Sequence, residues 1–196
     1  MQKQKKQRTV KSELYEWVKA LVIAGLIALV VRTFIIEPYR IPSSSMENTL
    51  LIGDFLFVNK FYYRTHEIKR DDIIVFKFPK DRRTNFVKRV IGLPGDTLEV
   101  KDGKVYVNGK GLDEPFIKEP MAKKYFPPVF VPPNNYFAMG DNRNVSWDSR
   151  YWGFVPKKLI RGKPMFIYFS WNSRSGYPFY DIIHNIRWHR LFKKIK

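Results

Sequence analysis

At 196 residues, 44% of them apolar and 16% aromatic, the chain is long enough for one ordinary domain plus an appendage, and its composition excludes a disordered polymer. It has no cysteine, which excludes disulfides, a thiol nucleophile and thiolate metal sites. Its formal charge is +18, of which Lys3, Lys5, Lys6, Arg8 and Lys11 at one end and Arg187, Arg190, Lys193, Lys194 and Lys196 at the other carry +10; charge gathered at two tails suits a membrane surface better than a nucleic-acid groove.

The first predicted element is WVKALVIAGLIALVVRTFII, residues 17–36, which at about 1.5 Å per residue matches the roughly 30 Å hydrocarbon core of a bilayer. Lys19 and Arg32 lie near its ends, where long side chains reach the headgroups, and residues 20–31 carry no charge. The alternatives are a buried core helix and a cleaved secretory signal, but no small-x-small site follows in RTFIIEPYRIP. The expectation is an uncleaved anchor whose basic leader, residues 1–16, stays inside the cell. Residues 37–196 then form an extracytoplasmic domain at the plasma or inner membrane.

Beyond Pro38 the apolar residues fall into short runs separated by turns. LLIGDFLFVNKFYY, DDIIVFKF, NFVKRVIGL, DTLEVKDGKVYVNGK, NNYFAMGD and KPMFIYFSW are rich in Val, Ile, Phe and Tyr and predict a mostly β domain. Asp102-Gly103 sits where a two-residue hairpin needs positive φ. The proline-rich stretch 118–135 predicts a surface excursion or mobile flap. Residues 182–196, IIHNIRWHRLFKKIK, read either as a basic aromatic segment resting on anionic headgroups or as a solvated tail.

Elimination narrows the chemistry. The chain has no G-x-S-x-G elbow, no H-E-x-x-H and no phosphate or dinucleotide loop, and its three histidines, His66, His184 and His189, lie in charged segments. If a hydroxyl in SSS at 43–45 is a nucleophile and not a simple turn residue, its base is a carboxylate or a lysine of lowered pKa. Lys88 stands out. In a strand over 86–91 it shares a face with Phe86 and Val90, and an amine among apolar neighbours is depressed by desolvation. An unshifted lysine is neutral in only about 0.04% of molecules at pH 7, one near 8 in about a tenth.

The motifs SSSMENTLLIGDFLFVNK, DDIIVFKF, FVKRVIGLPGD and GDNRNVSWDSRYWGFVP, in that order after an apolar anchor, resemble the boxes of bacterial type I signal peptidases, the leader peptidases. The resemblance runs from about Trp17 to Pro156. It implies an antiparallel β-sheet catalytic domain of the signal-peptidase type behind one transmembrane helix. In that family the serine before methionine is the nucleophile and the lysine before arginine the base, which are Ser45 and Lys88 here. Ser43 matches the residue that completes an oxyanion hole with the Ser45 N–H, Ser146 the serine that hydrogen-bonds the lysine amine, and Asp148 and Arg150 an ion pair bracing the site. Ser44 stands where glycine is common and is assigned no role. Three further positions depart from the pattern: Asn48 replaces a proline, and Asn144 and Val145 replace Asp-Asn.

The activity implied is removal of signal peptides from exported preproteins beside the secretion translocon, with cleavage after small residues of the Ala-x-Ala type, by a monomer needing no cofactor or metal and binding no nucleic acid. Ile41, Pro42, Met46, Leu50, Phe86 and Val87 flank the pair and are candidates for shallow apolar pockets, core packing being the alternative for each. Two other readings are a self-cleaving Ser/Lys protease of the SOS-repressor type, disfavoured by the anchor and the absence of a DNA-binding amino-terminal domain, and a tethered basic protein that binds nucleic acid or lipid.

Overall fold

The computed structural model describes residues 10–173 and 175–195; Lys3, Lys5, Lys6, Arg8 and Lys196 lie outside them. The chain divides into two units, Met1–Ile36 and Glu37–Lys196.

In the first unit, α1 runs over Val10–Val30 and continues as a π-helical turn over Val31–Ile35. It starts seven residues before the expected Trp17. Nothing in VKSELYE breaks a helix, and Glu13 in the first turn complements the helix dipole. The π-helical turn ends at Ile36, extended at φ −125°, two residues before Pro38, because a proline holds the residue before it out of helical geometry. The stretch Glu13–Ile35, 23 residues, is long and apolar enough to cross a membrane. Leu14, Trp17, Leu21, Leu26, Ile27 and Leu29 are exposed, and a helix apolar all round its circumference is unsuited to water.

The second unit is mostly β, and every strand pair whose register is defined is antiparallel. The strands are β1 (Ile36–Arg40), β2 (Asp54–Asn59), β3 (Ile73–Lys77), β4 (Asn85–Gly92), β5 (Thr97–Lys101), β6 (Lys104–Val107), β7 (Lys110–Gly111), β8 (Phe126–Phe130), β9 (Asn135–Met139), β10 (Val155–Pro156) and β11 (Ile160–Ser170). Seven form a sheet in the order β1-β2-β11-β3-β4-β9-β10, and four a smaller sheet in the order β7-β6-β5-β8. β3 is buried on both faces: Ile73 and Val75 join Ile41, Met46, Leu50, Leu56, Val58 and Ile167, while Ile74 and Phe76 join Val90, Ala138, Trp152 and Val155. That doubly covered strand reads as a continuous apolar run, as a buried period of two requires.

Each predicted strand run holds a strand. Asp102 (φ 50°) and Gly103 (φ 77°) make the predicted hairpin turn between β5 and β6, closed by Lys101 opposite Lys104. Asn108 (φ 51°) and Gly109 (φ 77°) repeat the turn between β6 and β7.

Three expectations are corrected. The run through Tyr63 is not all strand, because Asn59 Oδ1 accepts from the amides of Phe61 (2.9 Å) and Tyr62 (3.0 Å) and turns the chain into a helical turn, Tyr62–Thr65. The stretch 118–135 runs largely over the surface as expected, but it is not loop throughout: it holds β8, which pairs with β5 at an edge where Pro127 and Pro128 need donate no ladder hydrogen bond. The basic tail is no solvated extension. Asp54, fully buried, accepts from Leu51 N (2.8 Å), Ser170 Oγ (2.7 Å) and Arg190 Nη2 (2.6 Å), with Arg187 Nη1 3.9 Å away. Two arginines thus turn inward and leave Phe179, Ile183, Trp188 and Phe192 exposed.

Candidate active site

Ser45 occupies a 3-10 turn, Ser44–Met46, entered from extended Ser43. Ile41 and Met46, both buried, peg the turn into the core, and Leu50 N donates to Met46 O at 2.8 Å. The Ser45 N–H belongs to the first turn of a helix, whose amides have no intrahelical acceptor.

Lys88 sits mid-strand in β4, opposite Ile74 of β3, on the face of Phe86 and Val90 that alternation predicts. It is 4% exposed, and its Nζ lies 2.5 Å from Ser45 Oγ and 5.5 Å from the Phe86 ring centroid. Burial pushes the Lys88 amine down from 10.5 to about 8; Asp148 and Asp141 act to raise it, and Arg150 to lower it. Desolvation disfavours the charged form, so burial wins.

The other sequence-predicted residues gather around this pair. Ser43 Oγ lies 3.4 Å from Ser45 Oγ. Ser146 is buried, but its Oγ has no hydrogen-bond partner among the described residues, so the expected bond to the Lys88 amine is not made in this structure. Asp148 and Arg150 form a buried ion pair at 2.8 Å, and Asp148 also accepts from Gly140 N (3.0 Å) and caps the turn Ser149–Trp152. They brace the loop 140–146, which in turn holds the serine turn: Asn142 donates from its amide to Ser45 O and from its side chain to Ser44 O, both at 3.1 Å. A Cβ built on Gly140 would fall 2.3 Å from Ser45 O and 2.3 Å from Ser146 Oγ, so the loop approaches that closely only as glycine.

An apolar groove of about 500 Å³ opens over Ser45 and Lys88. Ile41, Pro42, Met46, Phe86 and Val87 line it as expected. Leu50 does not. It is fully buried in the core with Leu56 and Val58, because the turn closed on Met46 aims it inward. Sequence reasoning missed Tyr39, Thr84, Val145 and Trp147 in the wall. It also missed the buried pair Arg89–Asp141 (2.8 Å), to which Thr49 Oγ1 donates at 2.5 Å. An arginine inside the apolar run FVKRVIGL was the available signal, since a buried guanidinium needs a carboxylate. His66, His184 and His189 are exposed and none lines the groove. Among the described residues no group of three or more His, Asp or Glu is placed to hold a metal ion.

A serine hydroxyl and a buried amine thus share the floor of an apolar groove carried by an antiparallel β domain, and the chain's relatives make it a serine endopeptidase, a hydrolase. Residues 14–171 match the family model for signal peptidase, peptidase S26, and the chain belongs to that family. It is 41% identical over 180 residues to signal peptidase I of Bacillus licheniformis, a match covering 87% of this chain and 96% of that one. It is likewise 41% identical over 174 residues to signal peptidase I P of Bacillus subtilis subsp. natto, covering 84% and 94%. A crystal structure of a signal peptidase I from Enterococcus faecalis, 34% identical, covers 50% of this chain and 97% of its own with a TM-score of 0.44.

Proposed function

We propose that the chain is a membrane-bound endopeptidase that removes signal peptides from exported preproteins with Ser45 as nucleophile and Lys88 as general base. The observation that carries this reading is the 2.5 Å approach of a 4% exposed amine to the Ser45 hydroxyl. Neutral Lys88 takes the Oγ proton as Ser45 attacks the scissile carbonyl. The developing oxyanion meets the Ser45 N–H and the Ser43 hydroxyl. Lys88, now an ammonium oriented by Ser146, protonates the leaving amine, and its neutral form then activates the water that releases the acyl chain. The unused hydrogen-bonding capacity of buried Ser146 Oγ supports its part in that cycle. Apolar walls at Ile41, Met46, Phe86 and Val87 suit an extended substrate with small side chains at the cleaved residue and two before it.

The apolar length of α1 supports an anchor, residues 17–36, with the basic leader inside the cell and residues 37–196 outside. Exposed Phe179, Ile183, Trp188 and Phe192 beside Lys193 and Lys194 support contact with anionic headgroups. The test is cleavage of an Ala-x-Ala preprotein by the purified full chain in detergent. Ser45→Ala and Lys88→Ala should each abolish it with unchanged circular dichroism; cleavage at the parent rate by either variant overturns the assignment.

A further inference from the structure

Between β7 and β8, residues 112–125 form no strand or helix, and the path of this strap is fixed by side-chain bonds together with main-chain bonds such as Gly103 N to Lys124 O at 3.1 Å. On one side it holds the serine turn. Asn48 Nδ2 donates to Phe116 O at 3.1 Å, and Lys118 Nζ pairs with Glu47 Oε2 at 3.1 Å. On the other it holds the loop 140–146. Arg143 pairs with Glu114 at 2.5 Å, Lys118 N donates to Asp141 O at 3.3 Å, Asn144 Nδ2 donates to Pro120 O at 3.1 Å, and Ala122 N donates to Asn144 Oδ1 at 2.8 Å. Below it the Arg89 guanidinium lies 4.0 Å from the Phe116 ring centroid. Each residue from 47 to 49, directly after the Ser45 turn, is tied to the strap or to Asp141.

Asn48 and Asn144 are two of the four positions at which the sequence departs from the family's pattern, and both side chains bond the main chain of this one strap. Asn48 adopts φ 98°, which proline's ring forbids; the turn after Ser45 is therefore a different turn from one built on proline, held by an amide where a ring would stiffen it.

Resting on the assignment of Ser45 and Lys88, we infer that Asn48 and Asn144 are positioning residues: by clamping the strap 112–125 across both loops, they hold the Ser45 hydroxyl in register with Lys88. The apolar pegs Met121 and Phe116 remain when an asparagine is removed, so the fold survives while the hydroxyl loosens. Asn48→Gly keeps the positive φ and loses the amide; Asn144→Ala loses both strap bonds. Each should lower kcat for preprotein cleavage by roughly ten- to a hundredfold, since a misplacement near 1 Å is felt on that scale, with KM and the thermal midpoint unchanged. Because both act through one strap, the double variant should be little worse than either single one. Asn144→Asp, which keeps the acceptor for Ala122 N, should recover part of the loss. Unchanged kcat, or a kcat loss that follows a fall in thermal midpoint, overturns the inference. Ser45→Ala run alongside separates the two claims: if it is inactive while the asparagine variants cleave normally, the clamp alone fails, and if it cleaves, the dyad itself fails.

Discussion

Lys88 Nζ and Ser45 Oγ lie 2.5 Å apart although 43 residues separate them, one in the middle of β4 and the other in a short turn after β1. The pair is held on rigid parts: Lys88 by strands on both sides, Ser45 by buried Ile41 and Met46. With the amine brought down to about 8 by burial, the base is mostly charged at neutral pH. Log kcat/KM should therefore rise with unit slope toward pH 8 and level off above it, because that parameter reports the free enzyme's ionisation. An acid limb near the ordinary lysine value of about 10.4 would contradict the role given to burial.

The same desolvation acts on stability. Lys88 titrates lower in the folded than in the unfolded chain, so the unfolded state binds the extra proton between about pH 8 and 10.5 and folding grows more favourable across that window. Below it the buried ammonium costs roughly 3 kcal/mol. Lys88→Met, similar in length and uncharged, should be inactive yet more stable than the parent by up to about that amount at neutral pH. Urea unfolding at pH 7 and at about pH 10 should show the difference shrinking.

Gly140→Ala tests the contact between the two loops. Its Cβ would enter the space of Ser45 O and Ser146 Oγ, each 2.3 Å away, and a backbone oxygen cannot move aside as a flexible side chain would. The expected outcome is a stability loss of about 1–3 kcal/mol, the usual range for overpacking, with kcat reduced at least tenfold because the displaced atom belongs to Ser45, the proposed nucleophile. Thermal denaturation together with preprotein cleavage measures both.

Asp54→Asn keeps the shape of a fully buried side chain but leaves Arg190 without its charge partner. Breaking one side of a buried pair costs about 3–5 kcal/mol. A matching fall in the unfolding free energy is expected, and the double variant Asp54→Asn/Arg190→Met should recover part of it.

Where a local pattern decides the structure, the sequence is legible. Alternation in NFVKRVIGL places Lys88 with Phe86 and Val90, and Asp102-Gly103 makes the hairpin its positive φ demands. β8 escaped notice because its two prolines suggest a loop, while tolerance at a sheet edge depends on which strands lie beside it. Leu50 looks like a groove residue in a linear string, yet closure of the turn on Met46 sends it into the core. Arg190 and Asp54 are 136 residues apart, and no period or motif connects such a pair. The Ser45 and Lys88 assignments stand on motif order joined to burial, whereas the unpartnered Ser146 Oγ and the strap over Glu47 and Asn48 are matters of three-dimensional packing.

The inward turn of Arg187 and Arg190 ties a late part of the described domain to the turn that carries Ser45. Asp54, the first residue of β2, accepts from Ile41 N through its carbonyl oxygen while Gly53 N donates to Ile41 O, and the turn that carries Ser45 begins soon after, at Ser44. Without Arg190 the Asp54 carboxylate would be buried with no guanidinium 2.6 Å away to neutralise it. Proteolysis that removes residues 187–190 would thus loosen the turn that carries Ser45 while leaving Ser45 and Lys88 themselves in the chain.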